Sequence, residues 1–303
     1  MTVREYETPA AFKEALEHRM RARTPKDAIV ARTRQLLVFD RFLARIAAVF
    51  GDAATLKGGV ALELRIARAR TTKDVDLRLV GSPEDLLAQF QRVARYDLGD
   101  YMTFEIAPDA DHPMIETEGM TYDGFRFRAE CRLAGKLYGQ RFGVDVAFGD
   151  PMFGDAELLV ADDVLGFAGI SPPTLRVYPI ETHIAEKLHA YTLPRRRPNS
   201  RIKDLPDLAL LAGSRAIDAM RLRGALEQTF AFRATHATPS ALPDPPSTWA
   251  PAYAALARED QLPWPTLGDV TAAARGFLDP VLASEPVVAT WDPTTWRWTT
   301  RGR

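Results

Sequence analysis

The chain has 303 residues, 46% of them apolar and 26% charged, the composition of a folded globular protein with room for one large domain or two modest ones. A formal net charge of −1 and an isoelectric point near 6.5 exclude a global field that draws in nucleic acid or an anionic membrane, so any such contact needs a local patch. The single cysteine, Cys131, excludes an internal disulfide and a paired-cysteine zinc site and fits a reducing compartment.

No apolar run approaches the roughly 18–20 residues that a membrane span needs. The start, MTVREYETPAAFKEALEHRM, is charged and lacks the apolar core of a secretory signal. The expectation is a cytoplasmic protein.

From Thr8 to Phe50 apolar positions recur at three and four, and AIVARTRQLLVFDRFLARIAAVF predicts a long amphipathic helix ending near Gly51. ATLKGGVAL is a short apolar segment leading into a second, short helix, with Gly58-Gly59 as its turn signal. KDVDLRLV alternates, so Asp74, Asp76 and Arg78 face one way and Val75, Leu77 and Leu79 the other, as on a strand. SPEDLLAQFQRVARYDL opens with a Ser-Pro-Glu start and keeps helical spacing. YMTFEIAP, GFRFRAECRLAG and QRFGVDVAFGD alternate with period two between glycine-marked turns and read as further strands.

This predicts a mixed α/β (α+β) domain to about residue 170, followed over 171–303 by a mainly helical part. ETHIAEKLHAYTL, LPDLALLAGS and AIDAMRLRGALEQTF carry its helical spacing. Between Thr238 and Pro265 prolines thicken around one short helix, and the tail TTWRWTT is expected to dock through Trp296 and Trp298.

Asp74 and Asp76 on one strand face have Cα atoms about 6.6–7 Å apart. Two carboxylates so placed can hold a divalent ion or a pair of ions; the alternative is simple pairing with Arg68, Arg70 or Arg78. Burying such acids unpaired costs several kcal/mol or shifts a pKa, which invites a search for a cation. Upstream, Lys57-Gly58-Gly59 exposes backbone N–H groups at a helix start, where an anion can approach closely beside a lysine. It is not a Walker A loop. Asp145, between Val144 and Val146, faces opposite its apolar neighbours, either toward a metal site or toward solvent on an edge strand. Asp150 after Gly149 reads as a turn residue.

Lys187 adjoins the apolar stripe Ile180, Ile184, Leu188 and Tyr191, where a lysine either snorkels to water or aims its ammonium into a phosphate cleft. His183 and His189 do not have metal-ligand spacing. PRRRPNSRIKDLPDLALL concentrates Arg195, Arg196, Arg197, Arg201 and Lys203 between two helices, a solvated loop or an RNA-backbone contact. Asp204 fits the N-cap of a helix beginning at Leu205, and Asp207 would favour its dipole.

LKGGVALELR followed by RTTKDVDLRL, then FGVDVAFGD, HIAEKLHAY and SRIKDLPDLALL, resemble in order and spacing the AbiEii/AbiGii nucleotidyltransferase toxins, a family that includes the MenT toxins and shares the polymerase-beta-like fold. The resemblance covers about residues 50–212 and implies a toxin of a toxin–antitoxin pair that transfers NMP from NTP to RNA. The implied acceptor is the tRNA 3′ end, whose capping blocks aminoacylation. It further implies Asp74, Asp76 and Asp145 as ligands of Mg²⁺ or Mn²⁺, and Lys57, Gly58, Gly59, Arg70 and Thr72 as nucleotide-phosphate contacts. Lys187 and Asp204 match active-site positions, and a cognate antitoxin is the expected partner. One departure is Gly58-Gly59 where the wider superfamily often has Gly-Ser. Two other readings stay open: a small-molecule nucleotidyltransferase acting on an antibiotic, and a non-catalytic binding protein on the same fold.

Overall fold

The computed structural model describes residues 5–23, 27–66, 72–115, 124–195 and 201–300. In chain order the elements are α1 (Pro9–Arg23), α2 (Asp27–Phe50), β1 (Ala54–Lys57), α3 (Gly58–Arg65), β2 (Asp74–Leu79), α4 (Leu86–Arg95), β3 (Met102–Pro108), β4 (Gly124–Leu133), β5 (Lys136–Leu137), β6 (Phe142–Phe148), β7 (Glu157–Val160) and β8 (Thr174–Val177). The second part holds α5 (Ile180–Thr192), α6 (Asp204–Ala212), β9 (Ile217–Asp218), α7 (Ala219–Arg233), α8 (Ala250–Glu259), α9 (Leu267–Leu282), β10 (Thr290–Asp292) and β11 (Arg297–Thr299).

The main sheet runs β3-β4-β6-β2-β1-β8-β7, with β5 added beside β4. Its β2–β6 and β1–β8 pairs are parallel and its other pairs antiparallel, so the sheet is mixed. Alternation decides which face each strand buries. Val75, Leu77 and Leu79 are at most 2% exposed, each contributing about 1.5–3 kcal/mol of burial. They join Leu56, Val144, Val146, Phe127 and Ala129 in one core beneath α1, α2 and α4. Phe42 of α2 packs edge-on to Phe142, and Phe90 of α4 stacks on Phe127 at 4.8 Å. With helices covering that face, the polar alternates of β1, β2, β4 and β6 are left on the other.

A second core gathers α5, α6, α7 and α9 around the fully buried Trp291, and Leu62 of α3 reaches across into it. The tail docks as its tryptophans predict. Trp296 Nε1 donates to Ala273 O at 3.1 Å, and Trp298 donates to Phe277 O at 2.9 Å while stacking on the Phe277 ring.

Three features depart from the sequence reading. Helix α4 begins at Leu86, three residues beyond Pro83, because Asp85 adopts a left-handed conformation that breaks the helix there. The four-residue strands β7 and β8 carry too short an alternation to stand out. Helix α9 is also additional, although Thr266 and Asp269 form a reciprocal capping box at its start.

Candidate active site

Strand register lays four side chains abreast. Lys57 of β1 is the antiparallel partner of Asp76 on β2, Asp76 is the parallel partner of Asp145 on β6, and Asp145 is the antiparallel partner of Arg126 on β4. With strands about 4.8 Å apart, this is a transverse row reading cation, acid, acid, cation. Asp145 is therefore on an interior strand of the sheet, not on an edge.

One row along, Asp74 is level with Gly143 and Arg128. The Gly143 N–H donates to Asp74 Oδ1 at 3.1 Å. A Cβ on Gly143 would lie 2.5 Å from that oxygen, and a Cβ on Gly58 would overlap Asp76 Oδ2. Gly58 also has φ +67°, a conformation that a side chain disfavours. The missing side chains thus clear space around both carboxylates. Gly59 does the same for Thr72, whose Oγ1 would lie 2.5 Å from a Cβ there. Thr72 is held by its N–H to Glu63 Oε1 at 2.9 Å and by Oγ1 to Asp74 O at 3.3 Å.

Burial pushes the Asp76 carboxyl up to about 6, with Lys57 opposing and Asp145 and Asp74 adding to the rise. Asp145 is gripped by both ends of one guanidinium: Arg126 Nε donates to Oδ1 at 2.7 Å and Nη2 to Oδ2 at 2.8 Å. Lys57 Nζ donates to Asp150 Oδ2 and lies 3.6 Å from Glu186 Oε1 on α5, a carboxylate that Arg233 of α7 also binds at 2.8 Å. Asp150 is buried, and Arg78 Nε donates to its carbonyl at 2.6 Å. It is an ion-pair partner of Lys57 as well as the residue after a turn.

Lys187 neither snorkels nor stands alone. Its ammonium lies 3.1 Å from Asp204 Oδ1 and 2.7 Å from Asp207 Oδ2, both acids being buried. Helix α6 starts at Asp204 itself, after Lys203, and has no side-chain cap. The carboxylate serves the lysine and not the helix end. Asp207 is likewise more than a dipole partner. Arg201 lies 3.9 Å from Asp204 Oδ2, and Arg195 Nη2 donates to Ala190 O at 3.4 Å. Arg70, Arg196 and Arg197 lie outside the described residues, as does Arg68.

His189 is buried and packs against His236 and Phe230, with Nε2 2.8 Å from Thr235 Oγ1. Among the described residues no group of three acidic, cysteine or histidine side chains stands ready to hold a metal ion. The oxygens of Asp145 face Arg126 and one of Asp74 faces the Gly143 N–H. Arg126, Asp150, Glu186 and Asp207 are ion-pair partners of the candidate residues Asp145, Lys57 and Lys187, a role the sequence motifs do not reveal.

A mixed sheet carries paired acids on one strand, a third on its neighbour and a glycine turn beside them, the arrangement expected of a nucleotidyltransferase. The family model for the nucleotidyl transferase AbiEii toxin of type IV toxin–antitoxin systems matches residues 41–292. The chain belongs to this family. MenT4, the nucleotidyltransferase toxin Rv2826c from Mycobacterium tuberculosis H37Rv, is similar in structure with a TM-score of 0.55 at 18% identity, over 96% of this chain and 93% of that one. Two Helicobacter pylori structures are more distant. JHP933 has a TM-score of 0.40 at 16% identity over 67% of this chain and 79% of its own. A putative nucleotidyltransferase has a TM-score of 0.39 at 15% identity, over 67% and 82%. No curated protein is detectably similar in sequence. No helix among the described residues is long and apolar enough to cross a membrane.

Proposed function

We propose that this nucleotidyltransferase moves a nucleoside monophosphate from an NTP to an RNA acceptor, the 3′ end of tRNA, and so blocks aminoacylation in the cytoplasm. Toxin–antitoxin membership makes a cognate antitoxin its counterpart. The observation that carries the reading is the Lys57, Asp76, Asp145, Arg126 row, with Asp74 beside it and two glycines clearing its space.

The residues fit a divalent cation. Carboxylate oxygens are the hard donors that Mg²⁺ takes, typically one or two from protein with phosphates and water completing the shell. Burial, and after it the neighbouring Asp145 and Asp74, disfavour the charged Asp76 carboxylate, a cost that a cation would offset. Asp74, Asp76 and Asp145 would hold it, and when bound it supplies Lewis acidity at the α-phosphate.

The chain's own groups do the rest. The glycine turn at Gly58-Gly59 offers backbone N–H groups at the start of α3 to the triphosphate. Lys57, Lys187 and Thr72 would offset its charge and that of the departing pyrophosphate, and Arg70, outside the described residues, is proposed to join them. The acceptor hydroxyl oxygen forms the new bond to the α-phosphorus as the bond to the β-phosphate bridging oxygen breaks. Its proton passes to Asp145. Arg195, Arg196, Arg197, Arg201 and Lys203 lie along the chain between Lys187 and Asp204 and are the proposed contacts to an RNA backbone.

Incubation with Mg²⁺, each labelled NTP in turn, and either total tRNA or an aminoglycoside panel tests the acceptor. Label on tRNA 3′ ends is the expected result. Label on a small molecule would replace RNA with an antibiotic acceptor.

A further inference from the structure

Arg126 belongs to none of the motifs that mark the site, yet it makes the most complete contact in it. A guanidinium fork on both oxygens of one carboxylate is the strongest geometry an arginine has for an acid. Cross-strand register puts Arg126 directly opposite Asp145, whereas Arg128, two residues on and on the same face, pairs at 2.6 Å with Asp109 instead. The pair is not sealed in the core: the side chains of Arg126 and Asp145 are 31% and 23% exposed. It can open without unpacking the sheet.

The charges around the row give the pair a purpose. Two carboxylates stand on neighbouring strands at the same level and repel one another. At one end, Lys57 is engaged by Asp150 and lies near Glu186. At the other, Arg126 covers Asp145 where a third cation ligand would be needed. A cation that uses all three acids must therefore displace a guanidinium.

We infer that Arg126 is a positioning residue that occupies Asp145 while no divalent cation is bound and yields it when a cation arrives with the nucleotide. This rests on Asp74, Asp76 and Asp145 being the cation-binding acids. The free protein then binds a divalent cation weakly, because the guanidinium competes. A nucleotide offers the freed guanidinium phosphate oxygens in place of the carboxylate, so cation and nucleotide bind with positive coupling. Arg126 thereby limits metal loading to the substrate-bound state.

The test is a Mn²⁺ titration followed by the electron paramagnetic resonance of free Mn²⁺, on wild type, Arg126→Gln, Arg128→Gln and Asp76→Asn. Each is measured with and without an NTP analogue that cannot be cleaved between the α and β phosphates, after thermal melting has shown it folded. Without nucleotide, Arg126→Gln is expected to bind Mn²⁺ about tenfold more tightly than wild type, the worth of one charge-assisted contact. The tightening brought by nucleotide should shrink in the same variant. Arg128→Gln removes the same charge nearby and should leave both values unchanged. Unchanged or weaker binding by Arg126→Gln, or equal tightening by Arg128→Gln, overturns the role of Arg126. If Asp76→Asn binds Mn²⁺ as wild type does, or wild type with nucleotide binds none, the acids are not the cation site and the underlying reading fails with it.

Discussion

Asp207 Oδ2 lies 2.7 Å from Lys187 Nζ, closer than the 3.1 Å that separates the same ammonium from Asp204 Oδ1. Asp207 is fully buried on α6, whereas Asp204 also lies 3.9 Å from Arg201, so Asp207 is the nearer and less shared partner of the lysine. Replacing a buried charged partner costs about 1–3 kcal/mol even where a second partner remains. Asp207→Asn is expected to lower stability by that amount, and by more than Asp204→Asn does, in urea unfolding. Equal losses would show that the two acids share Lys187 evenly.

Gly58 and Gly143 separate backbone strain from blocked space. Gly58→Ala combines a left-handed φ, which costs roughly 1–2 kcal/mol for a side chain, with overlap on Asp76. Gly143 is not among the positive-φ residues, so Gly143→Ala adds only the clash with Asp74. Both variants should lose nucleotide transfer, while thermal melting should show the larger stability loss for Gly58→Ala. A fully active Gly143→Ala would mean that Asp74 tolerates displacement and that its position is not critical.

His189 makes the fold acid-sensitive. Burial, and then Arg233, His236 and Arg195, push its imidazole down to about 3, while the unfolded chain titrates near the ordinary 6.5. The unfolded state therefore takes up a proton that the native state refuses. The contribution is intact above about 6.5 and is lost as pH falls toward 3, at no more than about 1.4 kcal/mol per pH unit. Urea midpoints at pH 7, 5.5 and 4.5 should fall less steeply in His189→Gln than in wild type. Parallel slopes would remove His189 as the cause.

Asp76 has the opposite sign. With its carboxyl raised to about 6, the metal-free native state keeps a proton that the unfolded state sheds from about 3.8 upward, so this group's contribution declines as pH rises through 6. Asp76→Asn removes the decline. In the metal-free protein the stability of Asp76→Asn relative to wild type should rise between pH 4 and pH 7. A constant difference would show that the fold does not raise the Asp76 carboxyl.

The legible parts of the site were those carried by local pattern. Alternation in Asp74-Val75-Asp76-Leu77 sets the strand face, and Gly58-Gly59 marks the turn, because both depend on neighbours in sequence. Arg126, Asp150 and Asp207 were not legible in the same way. Arg126 meets Asp145 through the pairing of β4 with β6, which follows from how distant strands align. Asp207 meets Lys187 through the packing of α5 against α6, and its place one turn after Asp204 suggests a dipole role equally well. Asp150 follows a glycine turn, and only the return of the chain beside Lys57 makes it an ion-pair partner. Short strands such as Thr174–Val177 fall below the length at which alternation is distinctive.

We propose that nucleotide transfer occurs at the row of Lys57, Asp76, Asp145 and Arg126. Transfer of label from an α-labelled NTP to total tRNA, with Mg²⁺, by wild type and by folded Asp76→Asn measures it most directly. Wild type is expected to label tRNA 3′ ends and Asp76→Asn to be slower by on the order of 10²–10³, the scale of losing one electrostatic contact to the reacting group. Transfer by Asp76→Asn at the wild-type rate would contradict it.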